Sequence, residues 1–179
     1  MSVAFVFPGQ GSQSIGMLGA LASQYDDVQR VFESASKRLG YDLWALTQSG
    51  PEERLNATEC TQPAMLAAGV ATWRIWQRRG GPAPDLVAGH SLGEFTALAV
   101  AGVLDPDDAV ELVRFRGQVM QEAVPRGEGG MAAIIGLDDA EVEAACAEAA
   151  QGQVVEAVNY NAPSQVVIAG ATAAVERAI

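Results

Sequence analysis

The stretch DLVAGHSLGEFTALAVAGVL, residues 85–104, constrains the fold more than any other part of the chain. Residues 85–91 read as a short apolar strand, and LGEFTALAVAGVL reads as an apolar helix that begins at once. A strand that turns into a helix within a few residues belongs to a sheet with helices laid across it. Gly89-His90-Ser91-Leu92-Gly93 makes the turn, and this G-x-S-x-G pattern lifts the Ser91 hydroxyl above the sheet edge. The Leu92 N–H, at the helix start, is then aimed at a developing oxyanion. Two readings of Ser91 follow: a nucleophile on a sharp elbow, or a serine N-cap at a packed turn.

The alternation of strand and helix extends over the first two thirds of the chain. VAFVF, residues 3–7, is a buried strand ending at Pro8-Gly9, and GQGSQSIGM is a glycine-rich loop after it. In residues 25–39, Val28, Val31, Phe32, Ala35 and Leu39 recur at helical spacing, with Gly40 as the stop. TQPAMLAAGVATWRIWQRRGG, residues 61–81, predicts a second helix with Pro63 near its first turn and Gly80 after its end. Arg74, Arg78 and Arg79 near that end complement the helix dipole or form a docking patch. In DPDDAVELVRFRGQVMQEAVP, Asp105 caps, Pro106 takes the first helical position, and Asp107 and Asp108 lie at the positive end. A parallel sheet covered by helices is expected.

After Pro125 the pattern changes. RGEGG is a flexible join, MAAIIGL a strand, and DDAEVEAACAEAA a helix with Asp138 and Glu141 at capping-box spacing. QVVEAVNY and QVVIAG are two strands joined across NAPS, and ATAAVERAI begins a helix. The order β-α-β-β-α wants one closing strand to complete a split β-α-β unit. The expected boundaries are residues 1–126 and 127–179, the second being the smaller subdomain.

Charge narrows the possible partners. Asp and Glu number 22 against 11 Lys and Arg, giving a net charge of -11. Residues 127–179 alone hold 1 basic and 8 acidic groups. Nucleic acid is not an expected partner, since phosphate binding needs clustered Lys and Arg. Acidic partners must find a local basic patch. Cys60 and Cys146 have neither metal-ligand nor disulfide-framework spacing, so inert thiols and no metal are expected. The N-terminus lacks a basic n-region, and no segment is long enough to span a bilayer, so a soluble cytoplasmic protein is expected.

A serine nucleophile needs a base, and His90 is the chain's single histidine. Adjacent side chains at an elbow diverge, so His90 is expected to be structural rather than the base. Arg116 has apolar neighbours at i±3 and i±4 (Leu112, Val113, Val119, Met120), which places it on the face expected to be buried. Arg114 shares a face with Glu111, Gln118 and Gln121 and is expected in solvent. A guanidinium on a buried face requires an anion or several hydrogen bonds: an internal Asp or Glu, or a substrate carboxylate held bidentately. PGQGSQ, residues 8–13, is an ordinary loop or a source of backbone N–H groups for an oxyanion or phosphate.

FVFPGQGSQ, TQPAMLA, AGHSLGEFTALAVAG, RGQVMQEAVP, GMAAIIGL and VNYNAPSQVVIAG occur in the order seen in malonyl-CoA:acyl carrier protein transacylases. The chain resembles that family, which includes acyltransferase domains of fatty acid and polyketide synthases, along essentially its whole length. The resemblance implies an α/β fold: a hydrolase-like parallel-sheet subdomain with an inserted ferredoxin-like subdomain, both incomplete in this chain. It implies ping-pong transfer of malonyl from coenzyme A to a serine, then to the phosphopantetheine thiol of acyl carrier protein, with no cofactor. On that basis Ser91 is the nucleophile, Gln10 and Leu92 supply oxyanion-hole N–H groups, Arg116 holds the malonyl carboxylate, and Gln62 and Asn161 lie near the site. Members of the family run on well past residue 179 and carry the base histidine there, so an N-terminal portion of impaired activity is expected from an enzyme monomeric when complete. A general serine hydrolase is the competing reading, and Arg116 disfavours it because neutral esters give that charge no partner.

Overall fold

Two short apolar strands, β1 (Ala4–Phe7) and β2 (Leu86–Gly89), pair in parallel with Ala4 opposite Leu86 and Phe7 opposite Gly89. A parallel pair needs a crossover, made here by five helices: α1 (Gly19–Ala22), α2 (Asp26–Leu39), α3 (Leu43–Ser49), α4 (Glu52–Leu55) and α5 (Thr58–Arg78). Then α6 (Leu92–Val100) and α7 (Pro106–Glu122) follow β2. This structure, a computed structural model, describes residues 2–125 and 127–179. Arg126, the last residue of the expected first subdomain and the first of the RGEGG join, lies outside the described residues. The chain divides into two units, Met1–Gln121 and Glu122–Ile179.

The core of the first unit is built on α2 and α5. Val28, Val31, Phe32, Ala35 and Leu39 are the buried residues of α2, the set marked by its helical spacing, and Gly40 closes the helix in the left-handed conformation. They pack with Ala64, Leu66, Ala67 and Val70 of α5 in one apolar cluster. Each large side chain so buried contributes about 1.5–3 kcal/mol. Phe32 meets Trp44 edge-on at 5.1 Å, and Phe5 of β1 does the same with Trp73 and Trp76 of α5. The sheet is thus covered on one face. On the other, Val6 and Leu86 are 74% and 71% exposed.

Several expectations need correction. Helix α5 begins at Thr58, three residues before the expected TQPA start, so Pro63 lies inside it. α3 and α4 carry no long periodic pattern, although Asp42 caps α3 by accepting from the Ala45 N–H at 2.8 Å. On α7 the buried line is Ala109, Val110, Val113 and Gly117, because Gly117 is where the helix touches α5. Of the four apolar neighbours of Arg116 only Val113 is buried; Leu112, Val119 and Met120 are exposed. Arg114 is not free in solvent: its Nη1 donates to the Leu39 carbonyl at 3.0 Å.

The second unit holds β3 (Gly129–Ile135), α8 (Asp139–Ala150), β4 (Val155–Ala162), β5 (Gln165–Ala171) and α9 (Thr172–Ala178). The strands form an antiparallel sheet in the order β3-β5-β4. The capping box is present, with Asp138 accepting from the Glu141 N–H and Glu141 from the Asp138 N–H. Strand β4 extends to Ala162, so the NAPS turn shrinks to Pro163-Ser164, with Ser164 at φ 59°. Val142, Cys146, Val155, Val166, Ile168 and Val175 are buried together. The two edge strands differ: β4 is interrupted by register shifts, whereas β3 is regular and carries no charged residue.

Candidate active site

The elbow is held by backbone against backbone. The His90 N–H donates to the Phe7 carbonyl at 3.1 Å, extending the β1–β2 pairing by one residue. The Gly93 N–H then donates to the His90 carbonyl at 2.8 Å. A Cβ on Gly93 would collide with the Phe7 carbonyl, and one on Gly89 with the Gly93 backbone, so both glycines serve close approach. Ser91 sits between them at φ 52°, ψ -109°, a conformation that L-residues rarely adopt. Ser91 stands at the N-cap position of α6, but its side chain makes no capping bond there. The Leu92 N–H belongs to the first turn of α6, where amides have no partner within the helix. His90 lies against the other wall of the elbow, its Nδ1 3.1 Å from the point a Cβ on Gly9 would occupy.

Arg116 reaches this turn from α7. Its Nη2 donates to Ser91 Oγ at 3.0 Å and its Nη1 to Gln62 Oε1 at 2.9 Å, and the guanidinium carbon lies 5.5 Å from the centre of the Phe95 ring. Three elements therefore fix one side chain: α5, the elbow and α6. Gln62 is fully buried, and its amide nitrogen points to Met120 Sδ at 3.4 Å. The ion pairs of the described residues join Arg38 to Asp108 and Glu111, and Arg78 to Asp27; Arg116 takes part in none. Of the two partners open to it from sequence, an internal carboxylate is thus not the one found. A fork with a neutral amide on one nitrogen and a hydroxyl on the other keeps its positive charge available to an incoming anion.

The PGQGSQ segment is anchored rather than loose. Gln10 Nε2 donates to Thr58 Oγ1 at 3.3 Å, Gln13 Nε2 to Asn56 Oδ1 at 2.8 Å, and the Gly11 N–H to Gln13 Oε1 at 2.8 Å. Of the residues singled out in the sequence, Ser91, Arg116 and Gln62 form one hydrogen-bonded row, with Leu92 next to Ser91 and the loop bearing Gln10 beside the elbow through Gly9. Asn161 lies in β4 of the second unit. Asn56, Thr58, Phe95 and the Met120 sulfur have no signature in the sequence, since they act at a distance along the chain, across 43 to 58 residues in the case of the hydrogen bonds, and leave no local pattern. Among the described residues no cluster of His, Cys, Asp or Glu could hold a metal ion.

A serine on a strand-to-helix elbow, amides at a helix start and an unneutralised guanidinium at 3.0 Å together suit acyl transfer from a donor that carries an anionic group. The chain is similar to known acyl transferases. The family model described as "Acyl transferase domain" matches residues 4–179. The malonyl CoA-acyl carrier protein transacylase of Salmonella typhimurium is 64% identical over 175 residues, 98% of this chain and 57% of that protein. Among solved structures, an acyl carrier protein S-malonyltransferase from Vibrio cholerae aligns with TM-score 0.96 and 60% identity over 99% of this chain and 58% of its own. A malonyl-transacylase in complex with its type II polyketide acyl-carrier protein aligns with TM-score 0.98, again at 60% identity, over 99% of this chain and 58% of that one. The chain thus spans a little over half the length of the curated relatives it matches.

Proposed function

The chain belongs to the acyl transferase domain family, and from that premise we propose that it carries the acyl-accepting serine and the carboxylate clamp of a malonyl transferase. In this reading Ser91 Oγ attacks the thioester carbonyl of malonyl-CoA. The Oγ–C bond forms, the C–S bond breaks, and coenzyme A leaves as the thiol, carrying the proton that a base takes from the serine. The phosphopantetheine thiol of an acyl carrier protein then attacks the acyl-serine, and Ser91 regains its proton. Backbone N–H groups of Gln10 and Leu92 receive the oxyanion in both steps; one such donor is worth roughly 10²–10³ in rate. Gln62 stands behind the clamp and holds Arg116 through its amide oxygen.

The observation that carries the proposal is the Arg116 fork, 3.0 Å from the Ser91 hydroxyl and without a carboxylate partner. It favours a donor with a free carboxylate over acetyl or longer neutral acyl groups. No cofactor is needed, since coenzyme A is part of the substrate. The same chemistry serves fatty acid synthesis and polyketide synthesis. The reading fits an incomplete hydrolase-like subdomain over residues 1–126 and an incomplete ferredoxin-like subdomain over 127–179, of a cytoplasmic enzyme that is monomeric when complete. No helix of the described residues is long and apolar enough to cross a membrane.

The test is intact-mass analysis after incubation with malonyl-CoA. A gain of one malonyl group, absent in Ser91→Ala, is expected. Labelling is expected to be orders of magnitude slower than in a Ser-His pair, because the one histidine of these 179 residues lies on the elbow itself. Arg116→Ala should cut malonyl labelling far more than acetyl labelling. Equal loss for both donors would remove the clamp role.

A further inference from the structure

Thr58 and Gln62 stand four residues apart on α5, so their side chains rise from the same face of the helix. Each ends on a different half of the site. Thr58 Oγ1 accepts from Gln10 Nε2 at 3.3 Å, and Gln62 Oε1 accepts from Arg116 Nη1 at 2.9 Å. One residue before the helix cap, Asn56 holds the same loop through Gln13 at 2.8 Å. α7 is seated on this very turn: a Cβ on Gly117 would lie 2.8 Å from Glu59 Cα and 2.8 Å from the Thr58 carbonyl oxygen. Gln118 adds a bond to Glu59 at 3.3 Å.

From this we infer that the first turns of α5, Thr58 to Gln62, are the positioning element of the site. Thr58 acts through Gln10 on the oxyanion loop, and Gln62 acts through Arg116 on the carboxylate clamp. Neither residue contacts substrate. Gln62 is fully buried behind the guanidinium and reaches the acyl group only by way of it. Its orientation is determined by charge: turning the amide over would bring its NH2 against the guanidinium, while the sulfur of Met120 accepts the amide hydrogen only weakly. Groups that orient a functional side chain in this manner raise its effectiveness without touching the reactants. The inference rests on the malonyl-transfer reading above, and it divides the two functions of the site between two residues of one helix turn.

The division is testable in the 179-residue chain. Affinities for malonyl-CoA and acetyl-CoA are measured by calorimetry in a Ser91→Ala background, and the rate of Ser91 labelling at saturating malonyl-CoA is measured by intact mass with Ser91 present. Gln62→Met should weaken malonyl-CoA binding about tenfold, the equivalent of one charge-assisted hydrogen bond, and leave acetyl-CoA binding unchanged. Gln62→Glu, which places a carboxylate on Arg116, should abolish the preference for malonyl-CoA while retaining the fold. Thr58→Val should slow labelling about tenfold with both affinities unchanged, and Thr58→Ser, which keeps the hydroxyl, should restore the rate. Variants that shift both affinities and the rate together, or shift nothing, overturn the assignment. If the unaltered α5 shows neither a preference for malonyl-CoA nor labelling of Ser91, the malonyl-transfer reading itself falls and takes the positioning roles with it. A preference that persists in Gln62→Met, or a rate that persists in Thr58→Val, removes the positioning roles alone.

Discussion

A single phenol shows how burial sets residue behaviour here. The Tyr41 hydroxyl is buried with no hydrogen-bond partner among the described residues, and the Arg54 guanidinium lies over its ring at 4.9 Å. Burial, and next to it the neighbouring Cys60, raises its pKa well above the ordinary phenol value of 10.0. The folded chain therefore holds Tyr41 neutral where the unfolded chain would ionise it. That contribution to stability is complete below about pH 10 and is lost as pH rises toward the folded value. Denaturant titrations above pH 10 should show a steeper loss of stability in the wild type than in Tyr41→Phe; parallel curves would contradict this. Legibility differs sharply among residues. The elbow at Ser91 is legible from its glycines, whereas the apolar neighbours of Arg116 point to a buried face that the fold does not have. Of those neighbours, Leu112, Val119 and Met120 are exposed. The absence of a carboxylate at its fork, rather than a buried face, is what singles Arg116 out.

At the level of elements, spacing and caps were readable and contacts between helices were not. The repeat of α2 and the capping box of α8 are local and legible, because each is decided within a few residues. The start of α5 is not legible in the same way, because Pro63 resembles a first-turn proline while the helix begins at Thr58. The α5–α7 contact depends on Gly117, a residue with no local signature of its role. Gly117→Ala places a methyl group 2.8 Å from backbone atoms of Thr58 and Glu59, which cannot give way as a side chain would. A stability loss of about 1–3 kcal/mol is expected, measured by urea unfolding. Arg116, the preceding residue, moves with the helix, so the proposed preference for malonyl over acetyl should fall in the same variant. Leu66→Ala, in the α2–α5 core, should cost about 2–5 kcal/mol and leave that preference intact.

At the scale of the whole molecule, the β1–β2 sheet presents Val6 and Leu86 to solvent at 74% and 71% exposure. Replacing both by Thr should change stability by no more than about 0.5 kcal/mol per site and reduce binding of a hydrophobic dye, since no packing is lost. Charge acts at the same scale. The chain carries -11 overall, yet β3, a regular edge strand, carries none of it. Natural sheets blunt such edges with lysines, prolines or bulges, as β4 does with its register shifts. Net negative charge then supplies a repulsion between molecules that opposes pairing of β3 edges. It vanishes near the isoelectric point of about 4.4. Mild acidification should make solutions of this chain turbid by edge-to-edge strand exchange, and one lysine at Ala133 should keep them clear. Colloidal behaviour, on this account, is governed by a seven-residue strand remote in sequence from Ser91.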